Sequence, residues 1–200
     1  MLRRETYLPA GHIEPAPMTH ILLVENSPTD AQIATTILQQ DDFDVTVAAT
    51  FADGLSAVVE GQFDLILTNL VLPDGSGIDL CRKVREERGI RTPVVVCTPR
   101  GNPVDVLQGL SAGVADYFST QLPAEELTTR IRSVLSAETD ASQIPDPELS
   151  VRFLEKEYGI SASREQLLNA LVSTLEDLAR TGEQHEAELE RRRQAEQKLR

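Results

Sequence analysis

Four polar side chains close three apolar runs of this sequence, and their types decide what chemistry they could do. Glu25 and Asn26 follow ILLV, Asn69 closes LILTN, and Thr98 closes VVVCT. A carboxylate at the end of the middle run could attack an electrophilic phosphorus and help to hold a metal ion, because it carries charge and available lone pairs. Asn69 offers a neutral amide instead, its nitrogen lone pair delocalised into the carbonyl. Glu25 is the one carboxylate of the four, where magnesium sites use one or two together with phosphate oxygens; a solvated or hydrogen-bonded carboxylate is the competing reading. Asp74 lies in the Pro73-Asp74-Gly75 turn and Asp64 at the opposite end of the Asn69 run, so neither shares the place of Asn69. We therefore expect no catalytic residue, no metal ion, no cofactor and no enzymatic activity.

For these groups to meet, the runs that carry them must lie side by side. Strands are predicted at Ile21–Glu25, Val45–Ala49, Leu65–Asn69, Val94–Thr98 and Ala115–Ser119. Between them Ile33, Ile37 and Leu38, then Leu55, Val58 and Val59, then Ile78, Leu80, Cys81 and Val84 recur at helical spacing. Val104, Leu107 and Leu110 fall on a fourth helix, and Leu127, Ile131, Val134 and Leu135 on a fifth. Ser27-Pro28 places a capping residue before a first-turn proline, and Pro123 opens the last helix with Glu125 and Glu126 in its first turn. Near-continuous apolar strands imply a parallel sheet covered on both faces. The alternating order predicts an α/β, flavodoxin-like, doubly wound (βα)5 fold with strand order 2-1-3-4-5. In that order the first and third strands are neighbours, and Glu25, Asn26, Asn69 and Thr98 converge on the crevice at their carboxyl ends.

Residues 1–18 read as a disordered leader, 19–137 as the sheet domain, 138–150 as a polar, proline-bearing linker and 151–200 as a helical extension. Val151, Phe153, Leu154 and Tyr158 predict a short amphipathic helix ended by Gly159. A second helix begins near Ser163, and along it Leu168, Leu171, Leu175, Leu178, Leu189 and Leu199 fit one heptad frame flanked by charges of both signs. A dimerising coiled coil is the expectation, with a lone helix packed on the sheet domain as the alternative. The net charge of −13 leads us to expect no nucleic-acid partner. No apolar stretch reaches the ~18 residues of a membrane span. The two cysteines, Cys81 and Cys97, sit in apolar segments and read as buried thiols of a cytoplasmic protein.

On the segments ILLVENSPTD, FDLILTNLVLPDGSGIDL, PVVVCT and SAGVADYFST, residues 20 to about 137 resemble the receiver domain of two-component response regulators. The resemblance implies an acidic pair after the first strand, a phosphorylated aspartate after the third, a Ser or Thr after the fourth and a lysine after the fifth. It also implies an aromatic residue, three positions before the lysine, that changes rotamer on activation. Those positions fall on Glu25 and Asn26, Asn69, Thr98, Thr120 and Tyr117. Asn69 lacks the nucleophile, the acidic pair keeps one carboxylate, and Thr120 lacks the cation. Thr98 and Tyr117 remain as switch positions, and Val104, Leu107 and Leu110 mark the surface such domains use for docking or dimerisation.

The expected function is a degenerate receiver that signals without aspartate phosphorylation, through protein partners and a homodimer. The competing readings are a receiver segment of a larger hybrid sensor kinase or sensor-domain protein, or a phosphorylatable receiver with an unusual acceptor. His185 followed by Glu186 resembles a histidine-kinase phosphoacceptor box, but AELERRRQ lacks its usual proline. A flavodoxin-like ligand binder would need a glycine-bearing phosphate loop, and ENSPTD has none.

Overall fold

The computed structural model describes residues 18–86, 90–98, 103–120, 122–139, 149–153 and 155–160, with 167–168, 170–172 and 174 of a further helical stretch. Its first strand, β1 (His20–Val24), is flanked by β2 (Asp44–Ala48) and β3 (Leu65–Asn69). Beyond β3 come β6 (Val94–Thr98) and β7 (Asp116–Ser119), so the order is β2-β1-β3-β6-β7 and every pairing is parallel. This is the expected 2-1-3-4-5 arrangement; the two extra strand numbers belong to a small antiparallel pair, β4 (Val71–Leu72) and β5 (Gly75–Ser76), around the Pro73-Asp74 turn.

Each strand alternates its side chains between two helical layers. Leu22, Val24, Ile66, Val94 and Val96 pack with Val58 of α2 (Phe51–Glu60), Ile78, Leu80, Cys81 and Val84 of α3 (Gly77–Glu86), and Ala112 of α4 (Pro103–Ala112). Ile21, Leu23, Leu65, Leu67, Val95 and Phe118 pack on the other face with Ala31 and Leu38 of α1 (Pro28–Gln40), and with Ile131 and Val134 of α5 (Ala124–Thr139). Both faces being dry explains why the strands read as unbroken apolar runs.

Local chemistry sets the helix starts. Ser27 caps α1, its hydroxyl accepting from the Asp30 amide ahead of Pro28. Thr50 caps α2 by accepting from the Asp53 amide at 3.0 Å, and the Asp74 carboxylate, reaching across from the β4–β5 turn, accepts from the amides of Phe51 at 2.7 Å and Ala52 at 3.0 Å. Asp74 is thus more than a turn former: it ties the loop after β3 to the start of α2, and those bonds hold its carboxyl below the usual carboxylate range.

The segment after α5 corrects the sequence reading. The described residues of 151–159 do not form a helix; β8 (Leu149–Phe153) and β9 (Lys156–Ile160) make an antiparallel hairpin with Val151 opposite Tyr158. The apolar residues Val151, Phe153, Tyr158 and Ile160 recur with period two, and along β9 Tyr158 and Ile160 are buried while Glu157 and Gly159 are exposed. A pattern this short fits either period, and the surface it packs on decides. α5 runs to Thr139 and β8 begins at Leu149, and residues 140–148 of the predicted linker lie outside the described residues.

Most of the leader, and of the predicted coil Leu175, Leu178, Leu189 and Leu199 with His185, lie outside the described residues. No described helix is long and apolar enough to cross a membrane.

Candidate functional site

Parallel pairing of β1 with β3, β3 with β6 and β6 with β7 brings the carboxyl ends of these strands into one row. Glu25 and Asn26 follow β1, Asn69 is the last residue of β3, Thr98 the last of β6, and Thr120 follows β7. The Thr120 amide donates to the Thr98 carbonyl at 3.2 Å, closing the row. The crevice deduced from strand order is therefore assembled by the fold.

At its centre the Asn69 amide nitrogen donates to Glu25 Oε1 and to Asn26 Oδ1, each at 3.4 Å. A carboxylate only accepts, so the NH₂ edge of Asn69 must face Glu25. Both contacts are long and correspondingly weak. Glu25 Oε1 takes a shorter bond, 2.7 Å, from the Ser27 amide at the start of α1. Where an aspartate would set a second negative charge beside Glu25, the amide donates to it, so the crevice keeps its carboxylate paired with neither a cation nor a second acid in this contact. Glu25 and Asn26 are thus accounted for as acceptors, and among the described residues no group of three or more His, Cys, Asp or Glu side chains stands ready to hold a metal ion.

The backbone around Asn69 is held by a close approach. The Gly77 amide donates to the Leu70 carbonyl at 3.0 Å, and a Cβ at Gly77 would come within 2.5 Å of the Asn69 carbonyl oxygen and 2.8 Å of Thr68 Cγ2. The start of α3 can lie against the end of β3 because residue 77 has no side chain.

Thr98 is buried. Tyr117, 5% exposed, lies under α4, where its hydroxyl donates to the Asp105 carbonyl at 2.7 Å and burial pushes its phenol up. Gly109 makes room for the ring: a Cβ there would stand 1.6 Å from Tyr117 Oη. On the far side of the same strand, Asp116 is 4% exposed and accepts from Arg130 of α5 through both oxygens at 3.1 Å, and Arg130 also stacks on Phe118. Sequence reasoning passed over this pair. The available signal was a carboxylate inside the apolar run ADYFS, which burial requires to be paired. Gly77, Gly109 and the bridging role of Asp74 were likewise missed, since each depends on what approaches from another element.

Burial raises Cys81 to about 11 and Cys97 to about 12, leaving both protonated at neutral pH; both are free cysteines.

Of the expected surface residues, Leu107 and Leu110 of α4 do not face open solvent. They pack with Ile160 of the hairpin and Ala170 of the following helical stretch, joined by Val106, Val151 and Leu167. Val104, near the start of α4, is part-buried. Leu168 and Leu171 point the other way, each 55% exposed.

The model of the response regulator receiver domain matches residues 21–132. This chain belongs to the response regulator receiver domain family. Its curated relatives include the DNA-binding response regulator MtrA of Mycolicibacterium smegmatis, 37% identical over 120 residues that make up 60% of this chain and 52% of the relative. Response regulator ArlR of Staphylococcus haemolyticus is 35% identical over 118 residues, 59% of this chain and 53% of the relative. The chain thus spans about half the length of the curated relatives it matches. Among solved structures, a CheY-like receiver domain protein from Methanospirillum hungatei superposes with a TM-score of 0.58 at 24% identity, covering 62% of this chain and 98% of that one. The receiver domain of a signal transduction histidine kinase from Syntrophus aciditrophicus gives 0.56 at 24% identity, covering 66% and 98%. These likenesses fix the fold as the CheY-like, flavodoxin-like arrangement.

Family membership makes this chain a receiver domain of two-component signalling. It also corrects the expectation of no nucleic-acid partner. Relatives that share this domain are named as DNA-binding response regulators, so a net negative charge over this receiver does not decide that partner class.

Proposed function

We propose that this receiver signals without accepting a phosphoryl group on the crevice and works through protein contacts, as a noncatalytic module. The observation that carries the reading is Asn69, an amide at the end of β3 that donates to Glu25 where the family resemblance implies a phosphoacceptor aspartate. An amide nitrogen with a delocalised lone pair is not a nucleophile toward phosphorus. Thr120 stands at the lysine-equivalent position and brings no cation for a phosphoryl group. The nucleophile and the cation of a phosphoryl site are thus both replaced by neutral side chains. Asp74, the nearest alternative acid along the loop, has both carboxylate oxygens occupied by the amides of Phe51 and Ala52.

Self-association is the second part of the proposal. The heptad frame puts Leu168 and Leu171 on one seam, and both are exposed while Leu167 and Ala170, on the opposite side, pack on α4. A seam facing away from the domain is the geometry a parallel or antiparallel partner helix requires.

Intact-mass spectrometry and light scattering on one sample, with and without Mg²⁺ and acetyl phosphate, test both parts. The expected result is no phosphoryl adduct and a dimer that Leu168→Glu with Leu171→Glu converts to monomer. A stoichiometric adduct overturns phosphorylation independence, and a dimer indifferent to the paired substitution overturns the coil.

A further inference from the structure

We infer that the apolar face of α4 is an interaction surface already occupied by the chain's own hairpin, which acts as a detachable cap and holds Tyr117 in its buried pose. This goes beyond the phosphorylation-independent reading and does not depend on it.

The contact has two sides joined through one helix. Outward, Leu110 of α4 is buried against Ile160 and Ala170, with Val106, Leu107, Val151 and Leu167 around them. Inward, Gly109 lies on the Tyr117 ring, and the Asp105 carbonyl receives the Tyr117 hydroxyl at 2.7 Å. Val106 belongs to both sides, packing against the sheet-side cluster that contains Tyr117 and against the hairpin cluster. Pressure from the hairpin therefore reaches the ring through a single turn of α4.

Detachability follows from how little holds the cap. Among the described residues β8 and β9 form a sheet of their own, with no pairing to the central sheet. A two-stranded hairpin is marginal in water without a surface to pack on. Glu155, in its turn, sits at φ 63, a left-handed backbone that L-residues disfavour. Among the described residues the hairpin buries one side chain, Ile160, against Leu110 of α4, with Ala170 of the following helical stretch beside them, whereas each of the two main clusters has twelve or more buried residues. A contact of that size opens more readily than the sheet, in the manner of a local unfolding unit.

A partner for α4 must then displace the hairpin, and its removal frees Leu107 and Leu110 together with the means of releasing Tyr117. Hydrogen exchange by mass spectrometry on the full chain, comparing wild type with Ile160→Asp, tests this. The expected result is exchange faster by about tenfold or more in both the hairpin and α4, while β1, β3 and β6 keep their protection. In the same variant the Tyr117 phenol should titrate at lower pH than in wild type. If the hairpin opens while α4 and Tyr117 stay as they were, the cap does not hold them and the inference fails. Should Ile160→Asp expose the central strands as well, Ile160→Ala decides by the same comparison: α4 loosening with an intact sheet supports the cap, and α4 unchanged beside a loosened hairpin overturns it.

Discussion

Gly109→Ala asks whether the buried pose of Tyr117 rests on a missing side chain. A Cβ at residue 109 would lie 1.6 Å from Tyr117 Oη, 2.5 Å from Cζ and 2.9 Å from Cε2, far inside the ~3.5 Å at which carbon atoms pack. The ring has little room to slide, since it shares its cluster with Leu80, Cys81, Val84 and Val96, all fully buried. It must leave by rotating about its side-chain bonds. Leaving forfeits the hydroxyl bond to Asp105, worth about 1 kcal/mol, and the burial of the ring, about 2 kcal/mol. Alanine's better helix propensity returns about 1 kcal/mol. The expected net loss is about 2 kcal/mol of unfolding free energy, in the range for overpacked cores. Urea denaturation of wild type, Gly109→Ala, Tyr117→Ala and the double variant measures it. With the ring removed, alanine at 109 should become neutral or stabilising by up to about 1 kcal/mol. Spectroscopic titration supplies a second readout: burial pushes the Tyr117 phenol up, and in Gly109→Ala it should return toward the ordinary value of about 10. A Gly109→Ala protein as stable as wild type, or one whose loss is the same with and without the ring, refutes the reasoning.

Three further outcomes follow from the crevice and its supports. Asn69→Asp sets a second carboxylate against Glu25, now 3.4 Å from the amide; like charges raise the pair's folded pKa, so the variant should match wild type below about pH 4 and lose about 1 kcal/mol by pH 7. Urea midpoints offset equally at both pH values would contradict this. Asp74 is held below its ordinary pKa by the amides of Ala52 and Phe51, so its stabilisation exists above the unfolded value and fades as pH falls through the folded one. Asp74→Asn should therefore lower the thermal midpoint at neutral pH, with the gap closing on acidification below about pH 4; a gap constant down to pH 3 would sink the idea. Asp116→Ala removes both carboxylate contacts of the largely buried Arg130 and should cost about 3 kcal/mol in chemical denaturation, more than replacing both partners by apolar residues of similar volume.

Much of this protein was legible from its residues. Apolar runs such as LILTN and PVVVCT, too continuous for a one-sided sheet, determined five parallel strands covered on both faces, and the alternation with helical periods determined their order. Strand order in turn determined that Glu25, Asn26, Asn69 and Thr98 would share one end of the sheet, because the carboxyl end of a parallel strand is a property of chain direction. The identity of residue 69 as an amide is a fact of sequence alone. Tertiary structure decided the rest wherever an approach from a distant element was the cause. VRFLEKEYGI carries apolar residues compatible with a helix or a hairpin, and the surface of α4 selected the hairpin. Leu107 and Leu110 look like an open face until that hairpin covers them. Asp74 reads as a turn residue until α2 presents two amide donors, Asp116 as an oddity until Arg130 reaches it, and Gly77 and Gly109 as incidental until a carbonyl and a phenol occupy the space a side chain would need. Periodicity encodes which face of an element is buried; it carries no record of which partner buries it, and that choice is made when the chain closes on itself.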